Sequence, residues 1–161
     1  MIQSIDFWAY IGKWSLYGIF GFSLFLVIAG ATRIFHLVRD SEGELRKPMP
    51  FSGWALMTGF VFTAFSFSLA AVHFDLIAKG LMPGFWQLFL MNFLVFFAIS
   101  LFDTFIIDIL ILVIWHPKFL NLPDSEAFNS ATYHIKTLVP ATFISLIFSF
   151  FGSLIAWAMY F

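Results

Sequence analysis

Four stretches of this chain contain no Asp, Glu, Lys or Arg: Trp14–Thr32, Pro48–Phe74, Gly80–Phe102 and Thr137–Phe161. They run to 19, 27, 23 and 25 residues. A helix that crosses a bilayer needs about 20 predominantly apolar residues. Membrane strands are about 10 residues long and alternate apolar with polar positions, and these stretches do neither. The pattern predicts four spanning helices.

Composition closes off the other classes. The chain of 161 residues is 61% hydrophobic and 11% charged, whereas a soluble domain has roughly 45–50% apolar and 25% charged residues. A soluble globule of this size has too little interior for that much apolar surface. A soluble enzyme, a disordered chain and a secreted disulfide scaffold are therefore excluded. Net charge is −1, so no electrostatic footprint for nucleic acid is present. There is no Cys, which excludes disulfides, thiolate metal sites and Cys-ligated clusters.

The expected fold class is an all-α integral membrane four-helix bundle forming a single transmembrane domain over 1–161. Helices are expected at 12–38, 53–78, 84–116 and 134–160. The first 13 residues, with Ile2, Ile5, Phe7, Trp8 and Tyr10 around Asp6, read as a short amphipathic interfacial segment. Lys13 followed by an apolar run ending Ala29-Gly30-Ala31 has the outline of a signal peptide; it is read here as a retained first span. Helix 3, about 33 residues at 1.5 Å each, would reach about 50 Å. It must tilt, kink or project from a core of about 30 Å.

The eight basic residues divide unevenly. Arg33, Arg39, Arg46, Lys47, Lys118 and Lys136 flank the first and third loops, while Lys13 and Lys79 lie on the other side. The positive-inside rule then places loops 38–52 and 117–133 in the cytoplasm and both termini outside, in a plasma (inner) membrane.

Charged groups at membrane depth are expensive and mark functional positions. Helix 3 carries Asp103 and Asp108 with Asn92, Ser100 and Thr104. At 100° per residue Asp103 and Asn92 fall about 20° apart, and Asp108 about 140° from Asp103. The acids are candidates for catalysis or ligand binding. They are also candidates for a purely structural role, accepting hydrogen bonds from Arg33, Lys136 or a hydroxyl.

His36, His116 and His134 are expected near the cytoplasmic helix ends, in the layer of Asp108, and His73 near the outer end of helix 2 beside Asp75. Asp103, Asp108 and His134 are the catalytic candidates, and Asp103, Asp108, His116 and His134 the metal candidates. No two histidines have i, i+3 or i, i+4 spacing, so no local metal motif exists. For haem, only His36 and His134 share a depth, and both lie close to the surface. The cofactor is left open.

Helix 4 carries the ladder Ser145-x-x-x-Ser149-x-x-x-Ser153, helix 1 Gly18, Gly21 and Ser23, and helix 2 Gly59, Thr63 and Ser66. Small residues at such spacing let helices approach closely, within the chain or across a homodimer seam.

The run Phe102-Asp103, Asp108, Pro117-Lys118-Phe119, Leu122-Pro123, Glu126 and Tyr133-His134 resembles a family of small uncharacterised bacterial four-span membrane proteins. That family has a core of the type F-D-x4-D, P-K-F, I-P-G-T-E and Tyr/Phe-His. The likeness covers about 33 residues, and Leu-Pro-Asp-Ser-Glu stands here where the family has Gly-Thr. It implies no reaction, but it puts weight on Asp103, Asp108 and His134, then on Glu126 and Lys118.

Three functions compete. The first is a small bundle subunit or partner of other membrane proteins, with Asp103 and Asp108 satisfied by neighbours and no cavity beside them. The second is a membrane-embedded enzyme or metal/proton site using Asp103, Asp108 and His134, with a cavity beside them. The third is a transporter or channel, which with four helices requires a homo-oligomer; no inverted repeat supports it. The expected partners are the lipid bilayer and a homo-oligomer or other membrane subunits.

Overall fold

The computed structural model describes residues 6–32, 34–38, 40, 47–115, 117 and 129–160, except for the side chains at 35 and 36. The chain is an all-α bundle of four helices, each long and apolar enough to cross a membrane. They are α1 (Phe7–Ala31), α2 (Phe51–Asp75), α3 (Phe85–Phe102, continuing to Trp115) and α4 (Ala131–Tyr160).

The helix limits follow local chemistry. α1 starts at Phe7, ahead of the expected boundary, because the Asp6 carboxylate caps it by accepting from the Ala9 amide at 3.0 Å. Residues 7–13 of the expected interfacial segment thus belong to the first span. Pro50 immediately precedes α2, where its fixed φ is tolerated. A 3-10 turn at Ile77–Lys79 follows α2 and closes on Gly80 at φ +67°, a left-handed conformation that favours glycine. Ser130 accepts from the Tyr133 amide at 3.3 Å, so α4 starts earlier than its apolar run implies. Pro140 consequently lies well inside α4.

α3 and α4 form the central pair; α1 packs on α3, α2 packs on α4, and α1 and α2 touch only sparsely. The surface is apolar. Trp8 and Trp86 are exposed at one end of the bundle, and Trp54 and Trp115 at the other, as expected of girdles at two membrane interfaces. The interior holds many small and polar groups. Ser145, Ser149, Gly152 and Ser153 of α4 are all buried, so the serine ladder faces its own bundle.

Packing differs between the two halves of the bundle. The half containing the start of α1 and the end of α4 is filled by Tyr10, Trp14, Val72, Leu76, Leu88, Met91 and Ala156. The other half leaves a cavity of about 550 Å³ bordered by all four helices and open on one side.

Candidate functional site

α3 changes its winding at Asp103. From Asp103 to Trp115 it is a π-helix, with i→i+5 hydrogen bonds and more residues per turn than an α-helix. Ordinary α-helical spacing puts Asp103 and Asp108 on different faces. The wider winding brings residues five apart back onto one face, which corrects the 140° separation. Asp108 accordingly lies near enough to Asp103 for their charges to interact. π-Helix usually occurs as single-turn bulges, frequently at functional sites; here it continues for 13 residues.

Asp108 meets α4 through His134, whose Nδ1 lies 2.9 Å from Asp108 Oδ2. The His134 side chain is 7% exposed and that of Asp108 19%. The pair ties the π-helical part of α3 to the first turns of α4. Three turns further along α4, the Ser145 and Ser100 hydroxyls share a hydrogen bond of 3.0 Å. Thr104 is buried next to Asp103. Asp103 borders the cavity together with Ser100 and Ser145.

The remaining cavity wall is mostly apolar, with Phe22 and Phe25 of α1, Phe60 and Phe67 of α2, Phe96 of α3 and Phe148 of α4. Phe60 reaches across to Phe22 and Phe25, with ring centroids 6.3 and 6.2 Å away. Gly21, Ala55, Gly59 and Thr63 border the cavity at exposed positions. Its open side therefore faces lipid between α1 and α2. A Cβ added at Gly21 or Gly59 would meet nothing within 4 Å. These two glycines leave the wall open, a different role from the close helix approach expected of them. Gly18 and Gly152 do serve close approach, against Ile99 and Phe67 in one case and Ser68 in the other.

The structure thus pairs Asp108 with His134 and puts Asp103 about one turn earlier on α3, within reach of the Asp108 charge. His116, Glu126, Lys118 and Arg33, and the side chain of His36, lie outside the described residues. Lys136 is exposed. Among the described residues no group of three His, Cys, Asp or Glu is placed to hold a metal ion. His73 lies edge-on to Phe74 and tilted against Tyr160, away from Asp108.

Two polar clusters in the packed half escaped the sequence reading. Asp75 is 6% exposed and receives Lys13 at 2.8 Å, Lys79 at 2.8 Å and the Trp14 indole N–H. The i, i+4 spacing of Asp75 and Lys79 was the available signal. In the second cluster the Tyr10 hydroxyl donates to Asn92 Oδ1 at 3.0 Å, and Asn92 Nδ2 donates to Ser153 Oγ at 2.9 Å. That chain stitches α1, α3 and α4 together. Asn92 shares a face with Asp103 at α-helical spacing but sits about 16 Å away along the axis, so it belongs to the packing and not to the cavity.

No family model, curated protein or solved structure matches this chain.

Proposed function

We propose that this is a multi-pass plasma-membrane protein whose working part is a proton-handling site formed by Asp103, Asp108 and His134 at the cytoplasmic end of the bundle. In this reading loops 38–52 and 117–133 face the cytoplasm and both termini face outward. The resemblance to small bacterial four-span proteins is part of the same proposal and supplies no activity.

The observation that carries it is the Asp108–His134 contact at 2.9 Å, close to a second carboxyl that borders a cavity. Imidazole is the side chain whose charge changes near neutral pH. Facing a carboxylate through Nδ1, it has a fixed ring orientation and a proton that can reside on either partner. Asp103 then stands between that pair and whatever occupies the cavity. A bundle subunit with only structural acids was expected to have no cavity beside Asp103, and the cavity favours the site over that role.

The test is nitrogen-15 NMR of histidine-labelled protein in lipid nanodiscs. Asp108→Asn is expected to move the His134 Nδ1 resonance, and Asp103→Asn to move it by less. Unchanged His134 resonances in Asp108→Asn would overturn the proposal.

A further inference from the structure

The cavity has a chemistry of its own. Its described lining contains one carboxyl, Asp103, hydroxyls on Tyr17, Thr63, Ser100 and Ser145, and no Lys, Arg or His. The Thr63 hydroxyl donates to the Gly59 carbonyl at 2.8 Å, and Ser100 and Ser145 bond to each other. The carboxyl and this serine pair are the polar groups of α3 and α4 that border the space. The rest of the wall is apolar and largely aromatic.

The helix pairings set the depth of Asp103. Gly18 lies against Ile99, and Ser100 lies against Ser145. Asp103, one turn further along α3, therefore sits toward the cytoplasmic end of the cavity in the proposed orientation. An apolar chain entering between α1 and α2 would extend from there toward Tyr17 and Phe148. The volume of about 550 Å³ falls within the 300–1,000 Å³ of small-molecule sites.

We infer that the cavity binds a single-chain membrane amphiphile with a cationic amine head, its chain among the phenylalanines and its head at Asp103. A carboxyl with no Lys, Arg or His beside it in the described lining offers a phosphate or carboxylate head no charge partner, whereas an ammonium head pairs with the carboxylate and favours its ionised form. An ammonium group also gains from aromatic faces within about 6 Å. Gly21 and Gly59 provide the lateral entrance, since a side chain at either position would occupy open space. This inference rests on the Asp103 part of the proposed site and is separable from the Asp108–His134 pair.

The probe is hexadecylamine carrying a diazirine in its chain, photolysed with the full-length protein in phosphatidylcholine nanodiscs and mapped by peptide mass spectrometry. Labelling is expected on the cavity faces of α1 and α2, around Tyr17–Phe22 and Gly59–Phe67. Unlabelled hexadecylamine should suppress it at least tenfold more effectively than palmitic acid. Asp103→Asn should reduce it at least fivefold. Gly59→Leu, which fills the entrance without touching Asp103, should abolish it while circular dichroism and elution volume stay unchanged. Undiminished labelling in Asp103→Asn, or equal competition by palmitic acid, would overturn the inference. If either occurs while the His134 resonance still responds to Asp108→Asn, the amine site falls and the proton-handling site stands.

Discussion

Asp75 offers a measurable test of how this bundle is held together. Its carboxylate is buried, whereas the side chains of its two lysine partners are 42% and 55% exposed. Exposed ion pairs contribute about 0.2–1 kcal/mol, and an i, i+4 helix pair such as Asp75–Lys79 about 0.3–0.5 kcal/mol. The buried Trp14 indole bond to a charged acceptor contributes roughly 1.5–3 kcal/mol. Asp75→Ala removes all three contacts and leaves the Trp14 N–H unsatisfied, so it should cost about 2–4 kcal/mol. Asp75→Asn keeps an acceptor for Trp14 and should cost about half as much. Lys79→Gln should cost less than about 0.5 kcal/mol. Unfolding in mixed micelles of rising dodecyl sulfate fraction, read by circular dichroism and Trp fluorescence, gives these differences directly. The reasoning fails if Lys79→Gln costs as much as Asp75→Ala, or if Asp75→Ala costs under 1 kcal/mol.

Other outcomes follow from the same geometry. Asn92→Ala breaks both bonds of the Tyr10–Asn92–Ser153 chain; at about 0.6 kcal/mol per membrane hydrogen bond plus a small cavity it should cost about 1–3 kcal/mol in the same assay. Gly53→Ala places a Cβ 2.5 Å from the Leu37 carbonyl oxygen and should destabilise by about 1–3 kcal/mol. Gly59→Ala meets open space and should stabilise by about 0.5–1 kcal/mol through helix propensity, which a thermal melt in detergent would register. His134→Ala should loosen the contact between the π-helical part of α3 and the start of α4, seen as faster amide exchange over Asp103–Trp115 with the half holding Tyr10 and Ala156 unchanged.

The four helices were legible because charge-free length is a direct consequence of bilayer thickness, and it is written in contiguous residues. Helix ends were less legible. Asp6 and Ser130 extend α1 and α4 through single capping bonds that hydropathy does not register. Asp103, Asp108 and His134 stood out because charged or ionisable groups are costly at that depth. Their mutual placement was hidden, because α-helical periodicity separates the two acids and only the π winding realigns them. The cavity was hidden for a related reason. Gly18 and Gly21 look alike in sequence, yet one packs on Ile99 and the other opens toward lipid. That distinction depends on how α1 and α2 splay, which no local pattern encodes. The Asp75 and Asn92 clusters join residues more than 60 positions apart, and only the assembled bundle shows them.

The central claim is that Asp103, Asp108 and His134 form one working site beside a cavity open to the membrane. An experimental density map of the protein in lipid tests it most directly. The account predicts Asp108 against His134, Asp103 turned toward the space among Phe22, Phe60 and Phe148, and elongated density within that space. A collapsed bundle, with those phenylalanines interlocked and Asp103 turned away from them, would contradict it.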